Sequence, residues 1–208
     1  MSSEIYKAIE DFRYLLNRGY NRSSALRFVS DKYGLDIKGR NILERSVFSE
    51  KDAKRRRSKL VDIKEIHDQR LLIDGYNVLI TVENILYGGE IVECDDGFIR
   101  DVSATFGKYK IKKETFGALD KILSILKKFN PGEVIFCFDS QVSYSGRLSQ
   151  IVRNELKRRN IRGNAKTFKN VDYVLINESG IVCTSDRVII DKVKKVLDIP
   201  RYIYKMRS

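Results

Sequence analysis

Three aspartates each follow a short apolar run of the sequence, a position from which side chains can bind ligands or take part in catalysis. They are Asp74 after residues 71–73, Asp139 after residues 134–138 and Asp186 shortly after residues 181–183. If these runs are parallel β-strands, their carboxyl ends lie along one edge of a sheet, where ligands bind. The three carboxylates would then meet in one crevice. Asp172, at the start of another predicted element, is a natural fourth member.

A carboxylate cluster of this kind predicts a divalent metal centre. Neighbouring carboxylates repel one another and raise each other's pKa unless a cation neutralises them. Carboxylate oxygens without His or Cys suit Mg²⁺ or Mn²⁺, and such ions activate water and stabilise the transition state of phosphodiester hydrolysis. The alternative is that each aspartate caps the helix that follows it. Capping explains one aspartate well and three or four in the same position less well, so the pattern favours the metal centre.

The elements that would position these residues alternate between strands and helices from residue 71 onward. The predicted strands cover residues 71–73, 134–138, 165–168, 181–183 and 202–204, and the predicted helices cover residues 78–86, 115–129, 148–159 and 188–197. This alternation indicates βαβ units and an α/β fold, with a mainly parallel sheet flanked by helices. Residues 91–106 interrupt it, and we expect an irregular or hairpin insertion there with a turn at 95–97.

The first 50 residues predict a small all-helical N-terminal domain of three short helices. It has the size of a helix-turn-helix unit, although three short helices also form caps that bind no ligand. Residues 51–70 are highly charged and predict a linker or an exposed helix, which leaves residues 71–208 for the α/β domain. We expect the helices to pack on that domain, or on a second subunit in a homodimer, and to help position the substrate.

Four segments resemble motifs of the NYN and PIN ribonuclease domains, in the same order along the chain. They are residues 72–79 (LIDGYNVL), 136–139 (FCFD), 171–172 (VD) and 183–187 (CTSDR). The resemblance spans residues 71–205 and implies a PIN-like, metal-dependent nuclease fold with polar support from Asn77 and Ser185. The catalytic and metal-binding residues that it implies are Asp74, Asp139, Asp172 and Asp186. The whole arrangement is similar to a mostly archaeal family that joins a short helical domain to a PIN-like domain.

The chain departs from that family pattern in two places. Residues 88–110 form an insertion, which is either a surface hairpin or a lid that supplies an extra ligand. The insertion brings an acidic group of its own, Asp95, Asp96 and Asp101, beside Arg100. Asp172 is followed by Tyr173, where these families often have another acidic residue. Both departures bear on which carboxylates complete the metal centre.

The charge balance predicts a polyanionic partner. The sequence has 40 Lys and Arg against 28 Asp and Glu, a net charge of +12 that is shared equally by residues 1–70 and the rest. Nucleic acid is the usual partner of such a chain, although a basic surface also serves solubility. Residues 147–169 contain eight basic residues and one acid close to the predicted crevice, which suits a phosphodiester chain. The candidate substrate contacts are Asn77, Ser143, Ser145, Arg147, Arg153, Arg158, Arg159, Ser185 and Arg187.

Several function classes are excluded by what the sequence lacks. No run approaches the ~18 apolar residues of a membrane span, and three scattered cysteines with a single histidine provide neither a zinc site nor a disulfide framework. We therefore expect a reduced, cytoplasmic protein. The turn DGYN after the first strand lacks the GxGxxG of dinucleotide-binding proteins and the second aspartate of haloacid-dehalogenase phosphatases. The sequence thus predicts a nuclease that hydrolyses RNA with Mg²⁺ or Mn²⁺. The alternative is a module that binds RNA or a partner without cutting.

Overall fold

The chain divides into two compact units that do not follow the order of the sequence. The computed structural model describes residues 3–102 and 109–207. One unit consists of residues 1–58 and 90–103, and the other of residues 59–89 and 104–208. The first unit contains the predicted helical domain together with residues 90–103 of the insertion, and the second contains the rest of the predicted α/β domain.

Four helices of the described residues build the first unit. They are α1 Ser3–Asn17, α2 Arg22–Lys32, α3 Ile37–Ser46 and α4 Glu50–Arg57. Asn21, Asp36 and Ser49 cap the last three, since each side chain accepts a hydrogen bond from the backbone amide three residues later. The apolar faces of α1 to α3 meet around buried residues such as Phe12 and Leu43. The three predicted helices are confirmed, and α4 is the helix expected in the charged segment.

The insertion forms an antiparallel hairpin within the first unit, which is the first of the two alternatives, a hairpin or a lid, that the sequence left open. Its strands are β2 Ile91–Glu93 and β3 Ile99–Asp101, and residues 103–108 lie outside the described residues. Each of the three aspartates of its acidic group faces an arginine of the same unit: Asp96 accepts two hydrogen bonds of 2.8 Å from Arg100, Asp95 accepts hydrogen bonds from Arg13, and Asp101 lies 3.5 Å from Arg45. These pairings favour a structural hairpin over a lid that supplies a ligand.

Five parallel strands form the sheet of the second unit, in the order β5-β4-β1-β6-β7. They are β1 Arg70–Asp74, β4 Glu133–Asp139, β5 Gly163–Phe168, β6 Ile181–Cys183 and β7 Val196–Leu197. The interior residues of β1 and β4 are buried, as continuous apolar runs in a covered parallel sheet should be. The predicted α/β fold class is confirmed.

Helices connect and flank these strands. They are α5 Gly75–Tyr87, α6 Lys113–Phe129, α7 Ser145–Arg158, α8 Val171–Asn177, α9 Arg187–Lys192 and α10 Ile199–Lys205, and a 3₁₀ helix, Ile63–Ile66, precedes β1. α6 turns Leu119, Ile122, Leu123 and Leu126 into the core, as its 3.6-residue pattern predicts. No helix among the described residues has the length and apolar character needed to cross a membrane.

Two predictions at the C-terminal end of the chain are wrong. The helix predicted for residues 188–197 ends at Lys192, because Val196 and Leu197 pair with β6 as the edge strand β7. The strand predicted for residues 202–204 is part of α10. The Asp198 side chain accepts a hydrogen bond of 2.8 Å from the Arg201 amide, and Pro200 lies in the first turn, so both favour the start of a helix.

The strand order creates a crevice at the carboxyl edge of the sheet. From β1 the chain moves outward on one side to β4 and β5, and then returns to the other side of β1 as β6 and β7. The connections leaving β1 and β6 therefore diverge. In open α/β sheets such a switch point is where ligands bind, and it lies directly beyond Asp74.

Candidate active site

The four predicted aspartates lie at the carboxyl edge of the sheet. Asp74 ends β1, Asp139 ends β4, Asp186 lies three residues beyond β6, and Asp172 is in the first turn of α8, which follows β5. Asp74 pairs with Cys137, so Asp139 extends two residues, about 6–7 Å, further along the neighbouring strand. Asp74 therefore forms the floor of the crevice between its two neighbours.

Asp74 has the most perturbed carboxyl group of the four. Burial raises its pKa to about 7, and the negative charges of Asp186 and Asp172 act in the same direction. Two hydrogen bonds partly offset this shift: the Thr184 hydroxyl donates to Oδ2 at 2.9 Å and the Asn77 backbone amide donates to Oδ1 at 3.4 Å. A carboxyl group whose pKa lies near neutrality in a crevice is typical of a functional site.

Asp172 interacts electrostatically with the other three aspartates. Partial burial and the charges of Asp186 and Asp139 raise the pKa of Asp172, and Lys192 opposes them. Its own charge contributes to the raised pKa of Asp74. The structure therefore brings all four carboxylates, from four separate elements, into one electrostatic cluster.

Three of these aspartates also hold the local backbone, as the capping alternative expects. Asp74 caps α5, Asp186 caps α9 by accepting from the Val188 amide at 2.6 Å, and Asp139 accepts from the Gln141 amide at 2.8 Å. Each of these bonds uses one carboxylate oxygen. A carboxylate has two oxygens with about four acceptor positions, so capping and metal binding can be combined in one side chain.

A polar network links the turns that carry Asp74 and Asp186. The Thr184 hydroxyl donates to Asp74 and accepts from the backbone amide of Asp186 at 3.1 Å. Ser185 donates from its amide to the Asn77 side-chain oxygen at 2.8 Å. Asn77 and Ser185 thus lie where sequence reasoning expected polar support. Thr184 was missed, although its position directly after a buried strand and two residues before an aspartate would have indicated it.

A glycine allows close packing beneath the crevice. A Cβ atom on Gly75 would overlap the ring of Phe138, which is buried in β4. Tyr76, the next residue, packs edge-on against that ring with centroids 5.2 Å apart. Burial and the nearby charge of Asp139 raise the pKa of Tyr76 to about 12. The DGYN turn is therefore fixed from below by aromatic packing.

The donor set fits a hard divalent cation that keeps part of its water. Among residues 3–102 and 109–207, no group of three or more His, Cys, Asp or Glu side chains is arranged to hold a metal ion by itself. Mg²⁺ usually binds through one or two carboxylates, several waters and substrate phosphates, without a complete protein cage. The oxygen-only donors agree with that mode of binding, and so do the raised pKa values of Asp74 and Asp172, which come from burial and from the charges of the neighbouring aspartates.

Some of the predicted substrate contacts reach the same edge. Ser143 and Arg147 are exposed just before and within the first turn of α7, and Arg187 is half-buried at the start of α9. Ser145 lies at the same edge, but it is buried. Arg153 is half-buried and donates to the carbonyl oxygen of Ala165 at 2.6 Å, which ties α7 to β5.

Arg158 and Arg159 lie at the other end of α7. From Arg147 to Arg158 the helix rises by about 16 Å. Arg158 donates to Glu155 at 2.7 Å, and Arg159 donates to Asp120 of α6 at 2.5 Å. The structure therefore does not bring these two arginines to the carboxylates, and it gives Arg159 a role in joining α7 to α6.

Comparisons with known proteins cover both parts of the chain. Residues 4–59 match a family described as a protein of unknown function, DUF434, and residues 63–202, which include all four aspartates, match a domain of unknown function, DUF5616. An uncharacterized protein of Methanocaldococcus jannaschii is 42% identical over 197 residues, which cover 94% of each chain. No solved structure gives a significant match. The chain thus belongs to the DUF5616 family, with a DUF434 segment in front of that domain.

Proposed function

We propose that the α/β unit is a divalent-metal-dependent nuclease that hydrolyses RNA phosphodiester bonds at the carboxyl edge of its sheet. The observation that carries the proposal is the electrostatic cluster of Asp74, Asp139, Asp172 and Asp186. Within the described residues none of the four belongs to an ion pair. Like charges gathered at one edge of a sheet repel one another and destabilise a fold, and a divalent cation relieves that repulsion.

The roles of the residues follow from their positions. A bound Mg²⁺ or Mn²⁺ supplies activated water and neutralises charge on the scissile phosphate. One or two of Asp74, Asp172 and Asp186 would hold such an ion directly, and the remaining carboxylates, Asp139 among them, would add negative charge around it. Thr184 bonds both Asp74 and the backbone of Asp186, so it keeps the two ligand-bearing turns in register.

Positive charge beside the crevice supports RNA as the substrate. Arg147, Lys166 and Lys169 are exposed on α7, on β5 and just beyond β5, and none of them belongs to an ion pair in the described part of the chain. Free cations near a crevice attract a phosphodiester backbone. The resemblance of the aspartate motifs to PIN and NYN ribonuclease domains supports the same substrate. Three buried cysteines, which form no disulfide within the described residues, agree with the cytoplasmic location that we propose with it.

The second candidate is a module that binds RNA or a protein partner without cutting. The observation in its favour is that Asp74 and Asp186 each cap a helix, which gives both residues a structural reason to be aspartate. On this alternative the basic edge binds nucleic acid and the carboxylates serve only the fold.

The two candidates are separated by cleavage of a labelled RNA with the full chain in Mg²⁺, Mn²⁺ or EDTA. We expect metal-dependent cleavage, and its loss by at least about 100-fold in Asp74→Asn and Asp186→Asn, because asparagine keeps an N-cap but not the charge. Asp198→Asn is the matched control, since Asp198 also follows a strand and caps a helix, α10. It should cleave like the wild type. RNA binding without cleavage in any metal would favour the binding module.

A further inference from the structure

Two tyrosines at the carboxyl edge expose most of their surface. Tyr144 is 70% exposed just before α7, and Tyr173 is 65% exposed in α8, next to Asp172. Single exposed aromatic residues are common on protein surfaces. Two of them beside one carboxylate cluster indicate a surface that flat ligand groups can contact.

The segments that carry the two rings are neighbours. Tyr144 follows β4 and Tyr173 follows β5, and these strands pair in parallel up to their last residues, Asp139 and Phe168. Beyond that pair the Ser140 amide donates to the carbonyl oxygen of Phe168 at 2.9 Å. The two tyrosines therefore lie on adjoining segments at the same side of the crevice.

The backbone at Tyr144 has a conformation that tyrosine disfavours. Its φ angle is 64°, in the left-handed region. The other non-glycine residues with positive φ in the described chain are Asp68, Asn130 and Asn160, which are the residue types that tolerate it. A bulky residue held in this region is a recognised sign of a functional constraint. Glycine would relieve it, so the aromatic ring has a reason other than local stability.

Cations lie close to both tyrosines in the sequence. Arg147 is three residues after Tyr144, and Lys169 is four residues before Tyr173; both are exposed and neither belongs to an ion pair within the described residues. Aromatic rings interleaved with free cations are the chemistry that binds unpaired bases on a phosphodiester backbone. Bases inside a duplex are stacked on one another and cannot lie on a side chain.

We infer that Tyr144 and Tyr173 form a stacking platform for unpaired bases, which makes single-stranded RNA the substrate class of the carboxylate edge. This inference rests on the proposed function. The platform fixes which part of an RNA enters the crevice, and the aspartates beside it act on the phosphodiester backbone that follows.

The test is fluorescence anisotropy of the full chain in EDTA, with a labelled 12-nucleotide oligouridine strand and a labelled 12-base-pair RNA duplex as probes. Tyr144→Ala and Tyr173→Ala should each weaken binding of the single strand by roughly 10-fold, because one stacked base is lost. Binding of the duplex should change by less than about 2-fold. Tyr144→Phe and Tyr173→Phe should bind the strand like the wild type. Tyr20→Ala, at a residue 59% exposed in the first unit, is the matched control.

The Tyr144→Gly variant distinguishes a role of Tyr144 in RNA binding from a role in folding. Its thermal midpoint should be no lower than that of the wild type, because glycine accepts the positive φ, whereas its affinity for the single strand should fall roughly 10-fold. If Tyr144 served only the fold, Tyr144→Gly would lower the thermal midpoint and leave the affinity for the single strand unchanged.

The inference is overturned if the wild type binds no single strand, if the alanine variants bind it normally, or if strand and duplex are weakened equally. If the alanine variants lose strand binding and the wild-type protein cleaves no RNA in any metal, the platform is upheld and the nuclease is refuted. Cleavage of a single strand with unchanged KM in both alanine variants would uphold the nuclease and refute the platform.

Discussion

Asn77 and Ser185 are joined by two hydrogen bonds across the switch point of the sheet. The side-chain oxygen of Asn77 accepts from the backbone amide of Ser185 at 2.8 Å and from its hydroxyl at 3.1 Å. Asn77 lies three residues after Asp74, and Ser185 directly precedes Asp186. The Asn77 carboxamide therefore links the turns that carry Asp74 and Asp186, in addition to the link made by Thr184.

Replacing Asn77 should destabilise the fold more than replacing Ser185. In Asn77→Ala the buried amide of Ser185 loses this acceptor, and we expect the free energy of unfolding to fall by about 1–3 kcal/mol. Ser185→Ala keeps the amide bond, removes the hydroxyl bond to Asn77 and should cost roughly 1 kcal/mol or less. Urea unfolding of both variants measures the difference. Equal losses would show that the amide bond does not hold the two turns together.

Asp74→Asn should change how stability depends on pH. Since the pKa of Asp74 is about 7 in the folded chain and about 3.9 in the unfolded one, the folded chain binds an extra proton between these values. This contribution to stability is complete below pH ~4 and is lost as the pH rises through 7. Asparagine has no charge to desolvate, so at pH 8 without metal the variant should be more stable than the wild type by about 1–3 kcal/mol.

Urea unfolding in EDTA at pH 5, 6, 7 and 8 measures this effect. Asp36→Asn makes the same change at the N-cap of α3 in the other unit, and its curve should run parallel to that of the wild type. A wild-type curve that does not fall relative to Asp74→Asn over this range would contradict the raised pKa.

Gly75→Ala and Gly146→Ala should have opposite effects on stability. The Cβ at position 75 overlaps the buried ring of Phe138, and we expect a loss of about 1–3 kcal/mol or more from overpacking. Gly146 has no neighbour within 4 Å of a Cβ and lies inside α7, so alanine there should add about 0.4–1 kcal/mol. Thermal unfolding of both variants gives the comparison. A stable Gly75→Ala protein would mean that the DGYN turn does not pack on β4 as described.

The salt dependence of RNA binding should identify which basic residues contact phosphate. Arg147→Ala with Lys169→Ala should weaken binding and reduce the slope of log K against log salt by roughly 1.4, about 0.7 for each lost contact on a single strand. Arg158→Ala with Arg159→Ala should leave the slope unchanged, because these arginines are held by Glu155 and Asp120. The opposite result would support the sequence-based assignment of substrate binding to the far end of α7.

The central part of the α/β unit could be predicted because its signals are local. An apolar run that ends in an aspartate predicts both a buried strand and the edge where its carboxylate lies. β1 and β4 follow that rule, and Asp186 comes three residues after the last residue of β6. β7 could not be predicted, since two residues have no periodicity and Val196–Leu197 becomes a strand only by pairing with β6. The ion pair of Arg159 with Asp120 joins residues far apart in sequence, so charge counting along α7 could not reveal that Arg159 is already held.

The segment of residues 90–103, which contains the β2–β3 hairpin, affects where the gene can be divided. The chain forms the helical unit, leaves it to build β1 and α5, and returns to it before completing the sheet. The segment that matches the helical family, residues 4–59, does not include the hairpin with which it forms one compact unit. A gene break between the two matched segments would give one product that lacks Asp95 and Asp96 and another that carries them without Arg13 and Arg56. Recombination at that boundary is therefore disfavoured, and we expect relatives to keep both segments in a single reading frame.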